Sequence, residues 1–149
     1  NDIYTTEYPV KPDCLSHNRL EPIVELPEAQ TAVTTIADLL TTARQRLGPE
    51  TVLEFNGELV VSMRCPDCGQ EEFIFQSMAR LYESAAECPN CGGHRDMNLT
   101  HRITGTEDFL DRTLADVDVP PLSIIRARNG RERLYLELTG DAETFLAFA

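Results

Sequence analysis

The chain contains five cysteines, and four of them fall into two matching patterns, Cys65-Pro66-Asp67-Cys68-Gly69 and Cys88-Pro89-Asn90-Cys91-Gly92. Each is a C-P-x-C-G knuckle, and nineteen residues separate Cys68 from Cys88. Two thiolates three positions apart around a tight turn can both reach one cation at about 2.3 Å. Proline favours the turn, and glycine accepts the positive φ that lets backbone N–H groups point at sulfur. The spacing is that of a zinc ribbon, and four soft donors in a tetrahedron suit zinc. Two disulfides or four buried thiols would leave the duplicated knuckle without a reason, and an iron–sulfur or redox pair is the other chemistry such a motif serves. Four thiolates close the coordination sphere, whereas a catalytic zinc keeps a position open for water. Cys65, Cys68, Cys88 and Cys91 are therefore expected to hold a structural zinc.

Other residues capable of chemistry are less well placed. Cys14 and His17 form a lone C-x2-H pair with no partners at matching spacing, and read as a spare thiol and a surface histidine. His94 and His101 flank the second knuckle, where four sulfurs are better placed to bind a metal. Asp108, Asp111, Asp116 and Asp118 lack calcium-loop spacing and read as a solvated loop. The chain carries no G-x-G-x-x-G, P-loop, H-E-x-x-H or nucleophile elbow, so no catalytic residue is assigned.

At 149 residues the chain suits one ordinary domain or two small ones. It begins at Asn1 with a proline-rich stretch, so a segment cut from a longer protein is expected. It has no apolar run of eighteen residues and no signal-like segment, so no membrane association is expected. Four paired cysteines fit a reducing compartment, which gives a cytoplasmic reading. The formal charge is −12, and four metal-bound thiolates would add about two more negative units. This charge repels a phosphate backbone, and the chain has no tryptophan for base stacking. A nucleic-acid-binding ribbon is thus one alternative, and a metal- or thiol-dependent enzyme, using Cys14, is another.

The elements that position these residues can be read in order. Residues 1–30 carry Pro9, Pro12, Pro22 and Pro27 and read as an extended linker, with Ile23 to Leu26 as a short edge strand. Residues 31–149 are expected to form one α+β domain, a small mixed sheet with one main helix, carrying the ribbon as an insertion at about 63–103. Val33, Ile36, Leu40, Ala43 and Leu47 make a helical stripe over 34–47, with Thr35 and Asp38 as a capping box and Gly48-Pro49 as the stop. A hairpin is expected over 52–63, turning at Asn56-Gly57. Strands are expected over 72–76 and 96–103, and a weaker one over 78–86. A short helical turn is expected around 108–116. A second hairpin, 122–128 with 131–138, turns at Asn129-Gly130. The tail carries Phe145, Leu146 and Phe148, as a packed last turn or a stretch torn from further structure.

The last hairpin raises a question of charge. A two-residue turn there would pair Arg128 with Arg131 and Arg126 with Arg133, setting four arginines on one face. Like charges directly opposite repel, so these residues need acidic neighbours. The protein's own carboxylates could supply them, or the face could dock an acidic partner.

Two stretches resemble the E1-like adenylating enzymes of the ThiF/MoeB/HesA family. Tyr8-Pro9-Val10-Lys11-Pro12-Asp13-Cys14 with His17 resembles the end of the adenylation domain. Thr113-Leu114-Ala115-Asp116-Val117, Pro120-Pro121-Leu122 and Glu137-Leu138-Thr139-Gly140-Asp141 resemble an extension that follows it in some bacterial members. The nucleotide-binding glycine motif and its arginine and aspartate partners are absent, so the chain alone is not expected to adenylate anything. The resemblance implies an accessory C-terminal module that positions a ubiquitin-like or sulfur-carrier protein, or the enzyme's own adenylation domain. The layout also permits a β-grasp-like arrangement, with strand, helix and hairpin over 23–63.

Overall fold

The computed structural model describes residues 20–143. Cys14, His17, the stretch from Tyr8 and the apolar tail lie outside them. Seven elements organise the described residues: β1 (Ile23–Glu25), α1 (Ile36–Leu47), β2 (Val52–Arg64), β3 (Glu71–Ser77), β4 (Asp96–Ile103), β5 (Ile124–Asn129) and β6 (Glu132–Glu137). The class is α+β, with one helix against a six-stranded mixed sheet ordered β1-β6-β5-β2-β3, and β4 also pairing β2. β1 runs parallel to β6, with Ile23 opposite Tyr135, so the sheet starts inside the stretch expected as linker.

The helix follows from its sequence. Thr35 Oγ1 accepts from the Asp38 N–H at 3.1 Å, and the Asp38 carboxylate accepts from the Thr35 N–H at 3.1 Å. Ile36, Leu39, Leu40 and Ala43 face the core, and each of the larger ones contributes roughly 1.5–3 kcal/mol by burial. Val33 is 65 % exposed and lies before the helix, so it does not belong to the stripe. At the other end Gly48, at φ 99°, turns the chain and donates to the Arg44 carbonyl at 2.8 Å.

The connector between β4 and β5 holds a second copy of the helix-start chemistry. Thr113-Leu114-Ala115-Asp116-Val117 repeats the pattern of Thr35-Ile36-Ala37-Asp38-Leu39. Thr113 and Asp116 exchange the same reciprocal pair of bonds, at 3.1 and 3.2 Å. The two boxes meet at an antiparallel bridge between Thr35 and Thr113. The carbonyls of Arg112 and Leu110 accept from Ile36 N–H and Ala37 N–H, donors that a helix start otherwise leaves open. Leu114 and Val117 are buried beneath this junction. The acidic stretch is thus tied to the helix, not simply solvated. Within it only Ala115–Val117 forms a helical turn, shorter than the one expected over 108–116.

Residues 52–63 do not form a hairpin. β2 runs unbroken through Asn56-Gly57 for thirteen residues. Its first part pairs with β5, Leu53 opposite Ala127, and its last part with β3, Met63 opposite Glu72. β4 lies along the other side throughout, with register shifts between Glu54 and Leu59 and between Val60 and Ser62. The Asn56-Gly57 pair sits in the first of these shifts as a bulge, and the Asn56 side chain donates to the Ile124 carbonyl at 3.0 Å. The strand–helix–hairpin unit expected over 23–63 is therefore strand, helix and one long strand.

Residues 78–86 are not a strand either. They make two short 3₁₀ turns, Met78–Arg80 and Glu83–Ala86. Both edges of β2 are already taken here by β3 and β4, so no ladder position beside it remains for a further strand. The second hairpin forms, one position later in register than expected. Asn129 pairs Glu132, Arg128 pairs Arg133 and Arg126 pairs Tyr135, so the loop is Gly130-Arg131. Only Gly130 of the loop has positive φ, 58°, which is the II′ pattern, whereas an Asn129-Gly130 type I′ turn needs both.

Candidate metal centre

The ribbon grows out of the sheet. β2 delivers Cys65 directly after Arg64, and the Arg64–Glu71 pair closes the first knuckle. An isolated bridge between Glu87 and His94 closes the second, just before β4. The knuckles are built alike. Cys65 N–H donates to Gln70 O at 2.8 Å and Cys88 N–H to Gly93 O at 2.7 Å. Gly69 N–H returns to Cys65 O at 2.9 Å and Gly92 N–H to Cys88 O at 2.8 Å. Gly69 and Gly92 both sit at φ 74°, in the left-handed region that glycine tolerates.

This duplication brings the four sulfurs of Cys65, Cys68, Cys88 and Cys91 within 4.8 Å of one another. Cys65 Sγ lies 3.5 Å from Cys91 Sγ, and Cys68 Sγ lies 3.6 Å from Cys88 Sγ. All four are free thiols, so the two-disulfide reading does not hold. A tetrahedron with metal–sulfur bonds of about 2.3 Å has sulfurs about 3.8 Å apart. The cluster therefore fits one metal ion held by four thiolates. Cys65 and Cys88 are buried while Cys68 and Cys91 reach the surface.

Several residues that the motif alone does not single out shape the centre. The side chain of Asn90 and the backbone N–H of Gln70 both hydrogen-bond Cys68, and together they lower its pKa to about 6. The N–H of Gly93 makes the matching bond to Cys91. That bond acts to lower the Cys91 pKa, but the neighbouring sulfurs of Cys65 and Cys68 outweigh it and push the value up to about 12. Sulfurs this close cannot all carry charge without a cation to compensate them. Gly93 lies where the two knuckles approach. A Cβ there would collide with the Asp67 carboxylate and stand 3.4 Å from Cys65 Sγ.

Arg95 locks the intervening segment onto the ribbon. It is 7 % exposed, its Nη1 lies 2.7 Å from Glu72, and its Nε donates to Ala85 O at 2.9 Å. The remaining sequence candidates lie elsewhere. Neither His94 nor His101 joins the sulfur cluster, and His101 Nδ1 lies 3.0 Å from Glu58. Asp118 accepts from Ser77 N–H at 3.0 Å and pairs with Arg80.

The arginine face is partly satisfied from within. Glu54, 7 % exposed, lies 2.6 Å from Arg126 Nε and 3.6 Å from Arg128 Nη1. Arg102 of β4 stands directly opposite Glu54 on its other side. Arg128 also donates to Gly130 O at 2.9 Å. Arg133 is exposed opposite Arg128, and Arg131 is exposed in the turn rather than paired on the strand face. Comparison with known proteins finds no matching family model, curated sequence or solved structure.

Proposed function

We propose that this chain is a non-catalytic protein-interaction module held together by zinc. In this reading it serves an E1-like enzyme that activates a ubiquitin-like or sulfur-carrier protein in the cytoplasm. The observation that carries the reading is the convergence of Cys65, Cys68, Cys88 and Cys91 within 4.8 Å. Four sulfur donors fill a tetrahedral site and leave no place for water or substrate. Zinc is the metal such a set suits best. When bound it supplies charge compensation and a rigid link between the two knuckles.

A protein partner fits better than a nucleic acid, because the chain carries a formal charge of −12. Arg131 and Arg133 form no ion pair among the described residues and are the contact residues we assign, beside Arg126 and Arg128 on Glu54. The link to an E1-like enzyme rests on the resemblance of the 113–117, 120–122 and 137–141 stretches.

The test pairs metal analysis with calorimetry. The zinc-loaded chain should carry one zinc and bind a ThiF/MoeB/HesA-type adenylation domain or a ubiquitin-like carrier. Replacing Arg131 and Arg133 together by Glu should weaken that binding by about tenfold or more while zinc content stays unchanged. Failure of the fully loaded chain to bind either protein, or tight salt-sensitive binding to DNA or RNA, would refute the reading.

A further inference from the structure

We propose that the groove between β3 and the connector at 108–116 binds an arginine side chain of a basic, extended peptide segment. This surface is opposite in charge to the arginine hairpin, and the proposal does not depend on the partner assigned above.

The floor of the groove is aromatic. Phe73 and Phe75 stand two positions apart on β3, with ring centres 6.0 Å apart and planes 11° from parallel. Phe109 meets Phe75 edge-on at 5.4 Å. Phe75 and Phe109 belong to the core, whereas Phe73 is 62 % exposed. One ring of the set already carries a cation, since the guanidinium carbon of Arg112 stands 3.8 Å from the centre of the Phe75 ring. A guanidinium is planar and weakly hydrated, so it stacks well on such a face. Phe73 offers the neighbouring ring, with no cation over it among the described residues.

The walls are acidic. Asp108, Asp111 and Asp116 line the same groove, whose volume is about 490 Å³. All three are exposed, and none forms an ion pair among the described residues. Arg112 is the one cation in the lining, so carboxylates outnumber guanidinium and the groove is negative.

These carboxylates do not converge on a point. Among the described residues, only the four cysteines are brought within 4.8 Å of one another as a set that could hold a metal ion. Carboxylates spread along a groove, beside an exposed ring, suit separate cationic groups on one chain. Arginine fits both parts, because its guanidinium stacks on the ring while its N–H fork pairs with a carboxylate. A lysine ammonium is a compact, strongly hydrated charge and gains less from the ring.

Amide NMR titration of the metal-loaded chain with a synthetic peptide of alternating arginine and glycine tests this. We expect shift changes confined to residues 71–77 and 106–117, with a dissociation constant on the order of 100 µM at about 50 mM salt. The matching lysine peptide should bind about threefold more weakly, or worse. Phe73→Ala should weaken binding of the arginine peptide about fivefold or more. Phe73→Leu, which keeps apolar bulk against Phe75 but has no ring, should do the same. Asp108→Asn with Asp111→Asn should weaken it about tenfold. Glu28→Gln with Glu50→Gln makes the same change of charge at exposed positions that do not line the groove, and should leave affinity within about twofold. Shift changes scattered over the acidic surface, equal effects of the two double variants, or full affinity in both Phe73 variants would each overturn the proposal. Concentration-dependent self-association that is lost in the Phe73 variants would make the occupant a second copy of the chain, and would overturn the assignment to a separate segment.

Discussion

Removing the metal should open the ribbon and spare the helix core. The buried side chains between Ser62 and Asn98 are Ser62, Met63, Cys65, Phe75, Cys88 and Arg95, and only Phe75 belongs to the main core cluster. A segment below about 40 residues with so little apolar burial needs a metal or another cross-link to stay folded. The main cluster is built from α1, Leu26 and Ala29 after β1, β5, β6 and the connector, with the adjoining parts of β2, β3 and β4, and contains no cysteine. A metal held at a thousand times its dissociation constant contributes about 4 kcal/mol to the state that binds it. Chelation removes that contribution from local opening of the ribbon, which is about a thousandfold in the opening equilibrium. Hydrogen exchange read by mass spectrometry with and without a zinc chelator measures this. Amides of residues 63–73 and 88–98 should lose about a thousandfold in protection, while those of Leu39 to Leu47 change little. Stepwise return of the metal should restore protection at one equivalent per chain. Equal loss in α1 and the ribbon, or no loss in either, would refute the division drawn here between a metal-held tip and an apolar core.

Other expectations follow from particular contacts. Asp141 accepts from Thr31 N–H at 2.9 Å and from the Thr31 hydroxyl at 2.8 Å. Asp141→Ala should therefore cost about 2 kcal/mol in a urea titration. A Cβ at Gly140 would stand 2.5 Å from Ala29 O, so Gly140→Ala should cost about 1–3 kcal/mol, or more if that backbone cannot yield. Glu54→Gln should lower the unfolding free energy by about 1–2 kcal/mol, below the 3–5 kcal/mol of a fully buried pair. The reason is that Arg126 and Arg128 keep 47 % and 57 % exposure and stay solvated.

The carboxylates supply a test in pH. Hydrogen bonds from Thr35 lower the Asp38 pKa. Burial acts to raise that of Glu107, but bonds from Thr104, its own backbone and Gly105 outweigh it, so the value falls. Both folded values lie below the unfolded ones. Their stabilisation is thus complete above the ordinary carboxylate range near 4 and is lost as the pH drops through it and through the lowered folded values. Urea midpoints measured from neutral to acidic pH should fall in that window, and Glu107→Gln should flatten the fall. An unchanged slope in that variant would show that Glu107 does not contribute.

The four-cysteine cluster was legible because its chemistry is local. Each knuckle needs only its own proline and glycine and two sulfurs, so spacing alone identified all four residues that the fold brings together. The helix was legible for the same reason, with Thr35 and Asp38 three positions apart in one turn. The repeated box at Thr113 and Asp116 was equally local, and comparing the two five-residue stretches would have revealed it. Misreadings came where a local preference met a long-range demand. Asn-Gly between two apolar runs favours a two-residue turn. At Asn56-Gly57 that preference yields to pairing, because residues 52–54 find β5 and residues 59–64 find β3, with β4 spanning both. Two sets of partners on one strand outweigh what a single hairpin turn offers.

That bulge is also where the two halves of the protein are joined. Below it, Leu53 packs into the helix core, and Glu54 collects Arg126 and Arg128. Above it, β2 continues as one strand through a second register shift at Val60–Ser62 to Arg64, directly before Cys65. A hairpin at this point would have turned the chain back and left the cysteines on a separate unit. One continuous strand instead makes the position of the metal knuckles depend on the sheet that carries the helix and the arginines. Changes at Asn56 should therefore act at a distance. Asn56→Ala removes the bond to Ile124 O, which costs about 1 kcal/mol. It also frees the joint between the halves, so exchange should rise at residues 55–59 and in the β5 amides beside Ile124, while the knuckle amides keep their metal-bound protection. If the knuckles lost protection as well, the bulge would be holding the metal site together and not only the joint.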